Sequence, residues 1–201
     1  MQTWRRLAVV ACVVLGMSGA ARADWFYDAA AAIARRDHQS AVNILKPPAE
    51  QGDSFAQNLL GEMYANGMGA AQDYKTAVKW FTLAAEQGNA DAEITLGIMH
   101  ESGKGVSLDY KSAVTWFTLA AEQGHAMAQY NLGAIYDMGQ GVVQDYVKAH
   151  MWYNIAAIDG SNKYSAQNCD AIAKKMTPAQ IARAQELASK CVAQKFKNCG
   201  S

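Results

Sequence analysis

The amino-acid sequence predicts an all-α fold of stacked helix–turn–helix repeats that ends in a helical cap. Alanine, the strongest helix former, accounts for 38 of the 201 residues, whereas there are only 3 prolines. Four glycines, from Gly52 to Gly160, recur at a spacing of 36 residues. Aligned without gaps, residues 53–88, 89–124 and 125–160 share 12 identical columns. A fixed period of this length is typical of a repeat protein.

Each repeat is predicted to contain a first helix, a glycine turn and a second helix. In residues 53–88, apolar residues recur every three or four positions on both helices. They are Ala56, Leu60, Met63 and Tyr64 on the first helix and Ala77, Trp80, Phe81 and Ala84 on the second. Gly61 is expected to let a neighbouring helix approach closely, and Gly67 and Gly69 allow a positive φ angle in the turn. Asp73 is the expected N-cap of the second helix. Because one repeat cannot bury both apolar stripes, neighbouring repeats are expected to stack.

The chain is expected to begin with a cleaved secretory signal peptide at residues 1–23. Arg5 and Arg6 precede an apolar run of about 11 residues, which is shorter than a membrane span, and Ala21-Arg22-Ala23 fits a cleavage site. Cys12 offers an alternative, because the residues before it resemble a lipoprotein box, although the apolar run continues past it. The mature chain would start at Asp24 and be periplasmic or secreted.

The mature chain would carry 15 basic and 18 acidic residues, a net charge of about −3. This balance disfavours binding to nucleic acid or to an anionic membrane surface, and no integral membrane span is expected. Residues 24–52 match the second half of the repeat loosely and are interpreted as a degenerate first repeat with a shortened loop between its helices.

Residues 161–201 leave the period and are predicted to form the C-terminal cap. Thr177 followed by Pro178 and Gln180 predicts a capping box and a helix from 178 to the mid-190s, paired with a helix near 163–175. The cap also contains three cysteines. In an unbroken helix the Cα atoms of Cys191 and Cys199 would lie about 12 Å apart, which is too far for a disulfide. A disulfide between them therefore needs the chain to fold back near Lys197 and Asn198. The alternative is that both cysteines are buried free thiols. Cys169 is expected to pack as a small apolar residue.

These repeats resemble the Sel-one-like repeats, a subfamily of the tetratricopeptide solenoids. The residues that carry the resemblance are Ala56, Leu60, Gly61, Tyr64, Gly67, Gly69, Asp73, Tyr74, Ala77, Trp80, Phe81, Ala84, Ala85 and Gly88, with their copies. The resemblance implies a right-handed α-solenoid whose first helices line a concave face. It also implies a disulfide between Cys191 and Cys199, because secreted members close their last helix with such a pair.

Catalytic and metal-binding motifs are absent from the sequence. The four histidines are scattered, no nucleophile elbow or phosphate-binding loop occurs, and the glycine turns follow helices where a nucleotide fingerprint needs a strand. We therefore expect no metal, no cofactor and no enzyme activity. A cell-wall or β-lactam hydrolase remains the enzymatic alternative.

The expected working surface consists of the variable columns on the first helices, because the identical columns serve stacking. These residues are Phe55, Asn58, Glu62, Asp91, Ile94, Ile98, Glu101, Met127, Tyr130 and Asp137. We predict that a monomeric chain binds another protein there, such as a periplasmic receptor or other envelope protein; a secreted, host-facing interaction protein is the second alternative. A solvated helix face without a partner is the simpler interpretation of the same residues.

Overall fold

The computed structural model describes residues 19–158, 160 and 163–199. The predicted signal peptide, residues 1–23, lies outside this range except for the helical backbone of 19–23, and Cys12 lies outside it entirely. The chain divides into two compact units, residues 1–87 and 88–201. Among the described helices, none has both the length and the apolar composition that crossing a membrane requires.

The first unit contains four described helices, each packed against the next. They are α1 (Gly19–Ala34), α2 (His38–Glu50), α3 (Ser54–Asn66) and α4 (Tyr74–Ala85). Leu45 of α2 and Leu60 of α3 have no exposed surface and lie in the core of this unit. The loop between α1 and α2 covers only residues 35–37, as the degenerate first repeat predicts, whereas residues 67–73 connect α3 to α4.

The second unit contains six described helices. They are α5 (Ala90–Ser102), α6 (Tyr110–Glu122), α7 (Ala126–Met138), α8 (Tyr146–Ala156), α9 (Lys163–Ala173) and α10 (Pro178–Ala193). From α5 to α9 each helix packs against the next, so that α6 touches both α5 and α7. Phe117 of α6 and Leu132 of α7 are fully buried in the shared core.

Aspartate side chains begin the second helix of each repeat, as predicted. The Asp73 carboxylate accepts the backbone N–H of Lys75 at 3.0 Å and of Thr76 at 3.1 Å. Asp109 and Asp145 accept the equivalent N–H groups at the start of α6 and α8. These bonds satisfy amide groups that have no partner inside the helix.

Glycine in the first helix allows the two helices of a repeat to touch. A Cβ atom on Gly61 would lie 2.8 Å from the ring of Phe81, and one on Gly97 would lie 2.5 Å from the ring of Phe117. Both distances are shorter than a van der Waals contact, so a larger residue would force the helices apart. The expected close approach at Gly61 is therefore confirmed.

The cap differs from the expectation in one respect. Thr177 and Gln180 form the predicted capping box at the start of α10. However, α9 and α10 do not form a packed pair, because each packs against α8. Ala188 and Cys191 of α10 pack in one core cluster with Ile155 of α8. They cover the apolar surface of α8 that a further repeat would otherwise cover. The predicted pairing of the last two helices is wrong for this reason.

A disulfide joins Cys191 to Cys199 at a Cα–Cα distance of 5.2 Å. The chain reverses after α10 through three residues with positive φ angles, Lys195, Phe196 and Asn198. The Asn198 backbone N–H donates to Glu122 Oε1 at 3.0 Å, which fixes the end of the tail on the C-terminus of α6. Cys169 is the free cysteine among the described residues.

Candidate partner-binding surface

The ten residues predicted to bind a partner lie on three first helices, α3, α5 and α7, and differ in exposure. Phe55, Asp91, Ile98 and Met127 are exposed, Glu62, Glu101, Tyr130 and Asp137 are half-buried, and Asn58 and Ile94 are buried. We call the exposed and half-buried residues of each unit its first-helix surface, namely Phe55 and Glu62 in the first unit and the other six in the second. Asn58 and Ile94 are 4% and 7% exposed and are therefore left out of it; Ile94 belongs to the core of the second unit.

The identical columns of the first helices have the opposite environment. Leu60, Leu96 and Leu132 are at most 1% exposed, and the alanine four positions before each of them has no exposed surface. In contrast, Met127 is 56% exposed and Ile98 is 41% exposed. Packing therefore constrains these identical columns, whereas some variable columns on the same helices, those of Ile98 and Met127 among them, are open to solvent.

In the first unit, Phe55 and Glu62 of the first-helix surface each contact a neighbouring side chain. The ring of Phe55 lies 5.7 Å from the ring of Phe26 in α1, measured between centroids. Asn58 donates from Nδ2 to Glu62 Oε1 at 2.9 Å, and this bond holds the glutamate side chain against its own helix. The sequence did not suggest a role for Phe26, because it lies in the degenerate repeat.

In the third repeat, two polar side chains, one from α9 and one from the turn that follows it, contact the first-helix surface. Asn168 donates from Nδ2 to the Tyr130 hydroxyl at 3.2 Å, and Lys175 Nζ lies 3.4 Å from Asp137 Oδ1. Sequence reasoning missed Asn168 and Lys175. Both lie 38 residues after their partners, close to one repeat length, and this spacing is the pattern that could have revealed them.

In the second repeat, the equivalent carboxylate lacks such a partner. Glu101 occupies the position of Asp137 one repeat earlier. Burial alone raises its pKa above the ordinary glutamate value, with no cation acting to lower it. The helices α3, α5 and α7 contain no lysine or arginine. The first-helix surface in this part of the molecule is therefore apolar and acidic.

Among the residues that the structure describes, the nearest arrangement to a catalytic pair is Cys169 with His150. Their Sγ and Nε2 atoms are 3.4 Å apart. Burial raises the pKa of the Cys169 thiol to about 11 and lowers that of His150, so both groups are held neutral near pH 7. A thiol in this state is a poor nucleophile. Within the described residues, no group of three metal-ligating side chains comes together.

Comparison with known proteins places these features in a family. Residues 54–89, 90–125 and 126–161 match the Sel1 repeat. The crystal structure of c5321, a protective antigen present in uropathogenic Escherichia coli strains and displaying an SLR fold, is 36% identical with a TM-score of 0.66. That match covers 80% of this chain and 34% of the other, so this chain spans about a third of that protein's length.

A second solved structure, that of a Sel1 repeat protein from Oxalobacter formigenes, is 38% identical with a TM-score of 0.58. The match covers 63% of this chain and 95% of the other. No curated protein matches this chain. Sel1 repeat proteins generally act as scaffolds for protein–protein interaction, and their fold is typically non-enzymatic.

The predicted all-α repeat fold is confirmed, and so is the family resemblance seen in the sequence. The three matched repeats cover more than half of the chain and include the helices that carry the first-helix surface. This chain therefore belongs to the Sel1 repeat family.

Proposed function

We propose that this protein is an exported, non-enzymatic scaffold that binds a segment of another envelope or periplasmic protein on its first-helix surface. The observation that carries this proposal is the contrast, on the first helices, between the buried identical columns and the exposed variable positions. Leu96 and Leu132 are buried, whereas Ile98 and Met127, on the same two helices, expose apolar side chains. Exposed apolar side chains on a rigid helical frame are suited to binding a protein.

The cysteines support the exported location. The disulfide between Cys191 and Cys199 fixes the C-terminal tail, and disulfides of this kind persist in oxidising compartments such as the periplasm. The apolar run and the Ala21-Arg22-Ala23 pattern at the N-terminus point to the same compartment.

Site-specific photocrosslinking in living cells tests the proposal. A photoreactive amino acid replaces Met127 on the first-helix surface, or exposed Lys111 on α6 as the control. Met127 is preferable to Tyr130, because Asn168 already contacts the Tyr130 hydroxyl. We expect one protein to be captured from position 127 and not from position 111. Capture from position 111 alone would place the binding surface on the second helices and contradict the proposal.

A secreted, host-facing role is the second candidate. The solved structure of a protective antigen from uropathogenic Escherichia coli, 36% identical to this chain, favours it. Cell fractionation separates the two candidates, because a periplasmic scaffold stays in the periplasmic fraction whereas a host-facing protein accumulates in the culture medium. Turnover of nitrocefin or of peptidoglycan fragments that is lost in a Glu101→Gln variant would contradict both.

A further inference from the structure

The third repeat shows how a carboxylate on the first-helix surface is neutralised inside this molecule. Asp137 and Lys175 have 28% and 51% of their side chains exposed, and the ion pair between them spans 3.4 Å. The Lys175 ammonium also lies 5.2 Å from the centre of the Tyr146 ring. The cation is thus held by one carboxylate and one aromatic face, which is a favourable site for lysine or arginine.

The second repeat has the same carboxylate position without the cation. Glu101 corresponds to Asp137 after a shift of 36 residues. The ion pair of the third repeat joins residues 38 apart, so the matching cation would come from residue 139. This residue is Gly139, which carries no charge. Glu101 is half-buried, and burial is the cause that raises its pKa.

Exposed apolar side chains lie on α5, the helix that carries this carboxylate, and on α7, the first helix of the next repeat. Ile98 is 41% exposed one helical turn before Glu101, while Met127 and Met138 at the two ends of α7 are 56% and 55% exposed. Asp91 adds a second exposed carboxylate at the start of α5. Because α5 and α7 contain no lysine or arginine, their exposed charges are all negative.

We infer that the first-helix surface of the second and third repeats binds a protein segment that presents a lysine or arginine beside apolar side chains. The cation of the segment pairs with Glu101 as Lys175 pairs with Asp137, and its apolar side chains cover Ile98 and Met127. This inference rests on the proposed function, because it specifies the chemistry of the partner for the same surface.

Selection from a library of random 16-residue peptides displayed on phage tests the inference. The target is the full chain, expressed with its own N-terminal segment and purified as the cell processes it. Selected peptides are synthesised with a fluorophore, and their affinities are measured by fluorescence anisotropy for the wild type and for Glu101→Gln. Glu186→Gln, an exposed change on α10, is the matched control. Thermal melting verifies that the variants fold.

We expect the selected peptides to contain lysine or arginine next to apolar residues. Glu101→Gln should weaken their binding about fivefold, as for a partly exposed ion pair, and Glu186→Gln should leave it unchanged. The Glu101→Lys variant should instead prefer versions of the same peptides in which glutamate replaces the lysine. Loss of a merely structural contact would not produce this reversal.

Two other outcomes separate this inference from the proposed function. One outcome is that the affinity of the selected peptides falls in the Ile98→Gln and Met127→Gln variants, but the peptides contain no basic residue or bind Glu101→Gln as tightly as the wild type. This outcome would overturn the inference and leave the proposed function standing. Failure of every peptide to bind, or binding indifferent to Ile98→Gln and Met127→Gln, would contradict both.

Discussion

The second and third repeats, residues 89–124 and 125–160, share their identical columns but differ in what covers their second helices. Leu119 on α6 is 42% exposed, whereas Ile155 at the equivalent position on α8 is 3% exposed. The difference arises because α10 packs on α8. Place in the array, and not the repeat pattern, therefore decides how deeply the outer face of a second helix is buried.

The two repeats also differ beneath the first helix. Gln129 donates from Nε2 to the Ala121 carbonyl at 3.3 Å, and Gln57 makes the same bond to Ala49 in the first unit. Glu93 occupies this position in the second repeat, where it is 2% exposed and accepts from Gln123 Nε2 at 2.9 Å. A carboxylate accepts hydrogen bonds but cannot donate one, so the second repeat contains a buried titratable group where the third has a neutral one.

The largest effect on stability, and the largest difference between the two repeats, is expected when the tryptophan that they share is replaced by alanine. Trp152 has no exposed surface, whereas Trp116 is half-buried. We expect Trp152→Ala to lower the free energy of unfolding by about 4 kcal/mol, because it leaves a cavity under α10, and Trp116→Ala to cost about half as much. Guanidinium denaturation followed by circular dichroism measures both. Equal losses would mean that α10 does not determine the burial of Trp152.

An intermediate effect on the free energy of unfolding is expected for Glu93→Gln. Burial is the main cause that raises the pKa of Glu93, while the hydrogen bond from Gln123 and the charge of Lys197 act in the opposite direction. The variant can still accept from Gln123, as Gln57 accepts from Gln87 at 2.8 Å. We expect it to increase the free energy of unfolding by about 1 kcal/mol at pH 7.

The pH dependence of this gain in stability follows from the raised pKa of Glu93 in the folded protein. A glutamate whose pKa is raised in the folded state favours folding below its unfolded value near 4.5, and this contribution is lost as the pH rises through the folded pKa. The advantage of Glu93→Gln should therefore disappear at about pH 4. Urea denaturation at pH 4 and pH 7 measures it. Gln129→Glu is the reciprocal control, and it should destabilise the protein more at pH 7 than at pH 4; a pH-independent effect in both variants would contradict this prediction.

The smallest effect is expected for Lys175→Gln. Its ion pair with Asp137 is half-exposed, so its loss should lower the free energy of unfolding by about 0.5 kcal/mol or less. Thermal unfolding at low and high salt measures the change, and the difference from the wild type should shrink in high salt. Lys174→Gln, an exposed change beside it, is the matched control. A salt-independent loss would indicate a packing role for Lys175.

Much of the fold could be read from the residues, because the informative features are local. Asp73 and its copies cap helices through their own carboxylates, and Gly61 is required by the ring of Phe81 on the next helix of the same repeat. The first-helix surface was harder to predict. Helical spacing selected Asn58 and Ile94 together with exposed residues, yet both are buried, because the flank of a first helix faces its neighbours in the array.

The 36-residue period and the turn chemistry of the sequence define the helices, their ends and the repeated core, because these depend on contacts within a repeat and between similar neighbours. The end of the array follows a different rule. Once no further repeat covers α8, the helix that can bury its apolar surface takes that place, and α10 does so in preference to pairing with α9. The positions of Asn168 and Lys175 against the first-helix surface likewise depend on how α9 stacks. Those contacts join dissimilar segments, so only the tertiary structure reveals them.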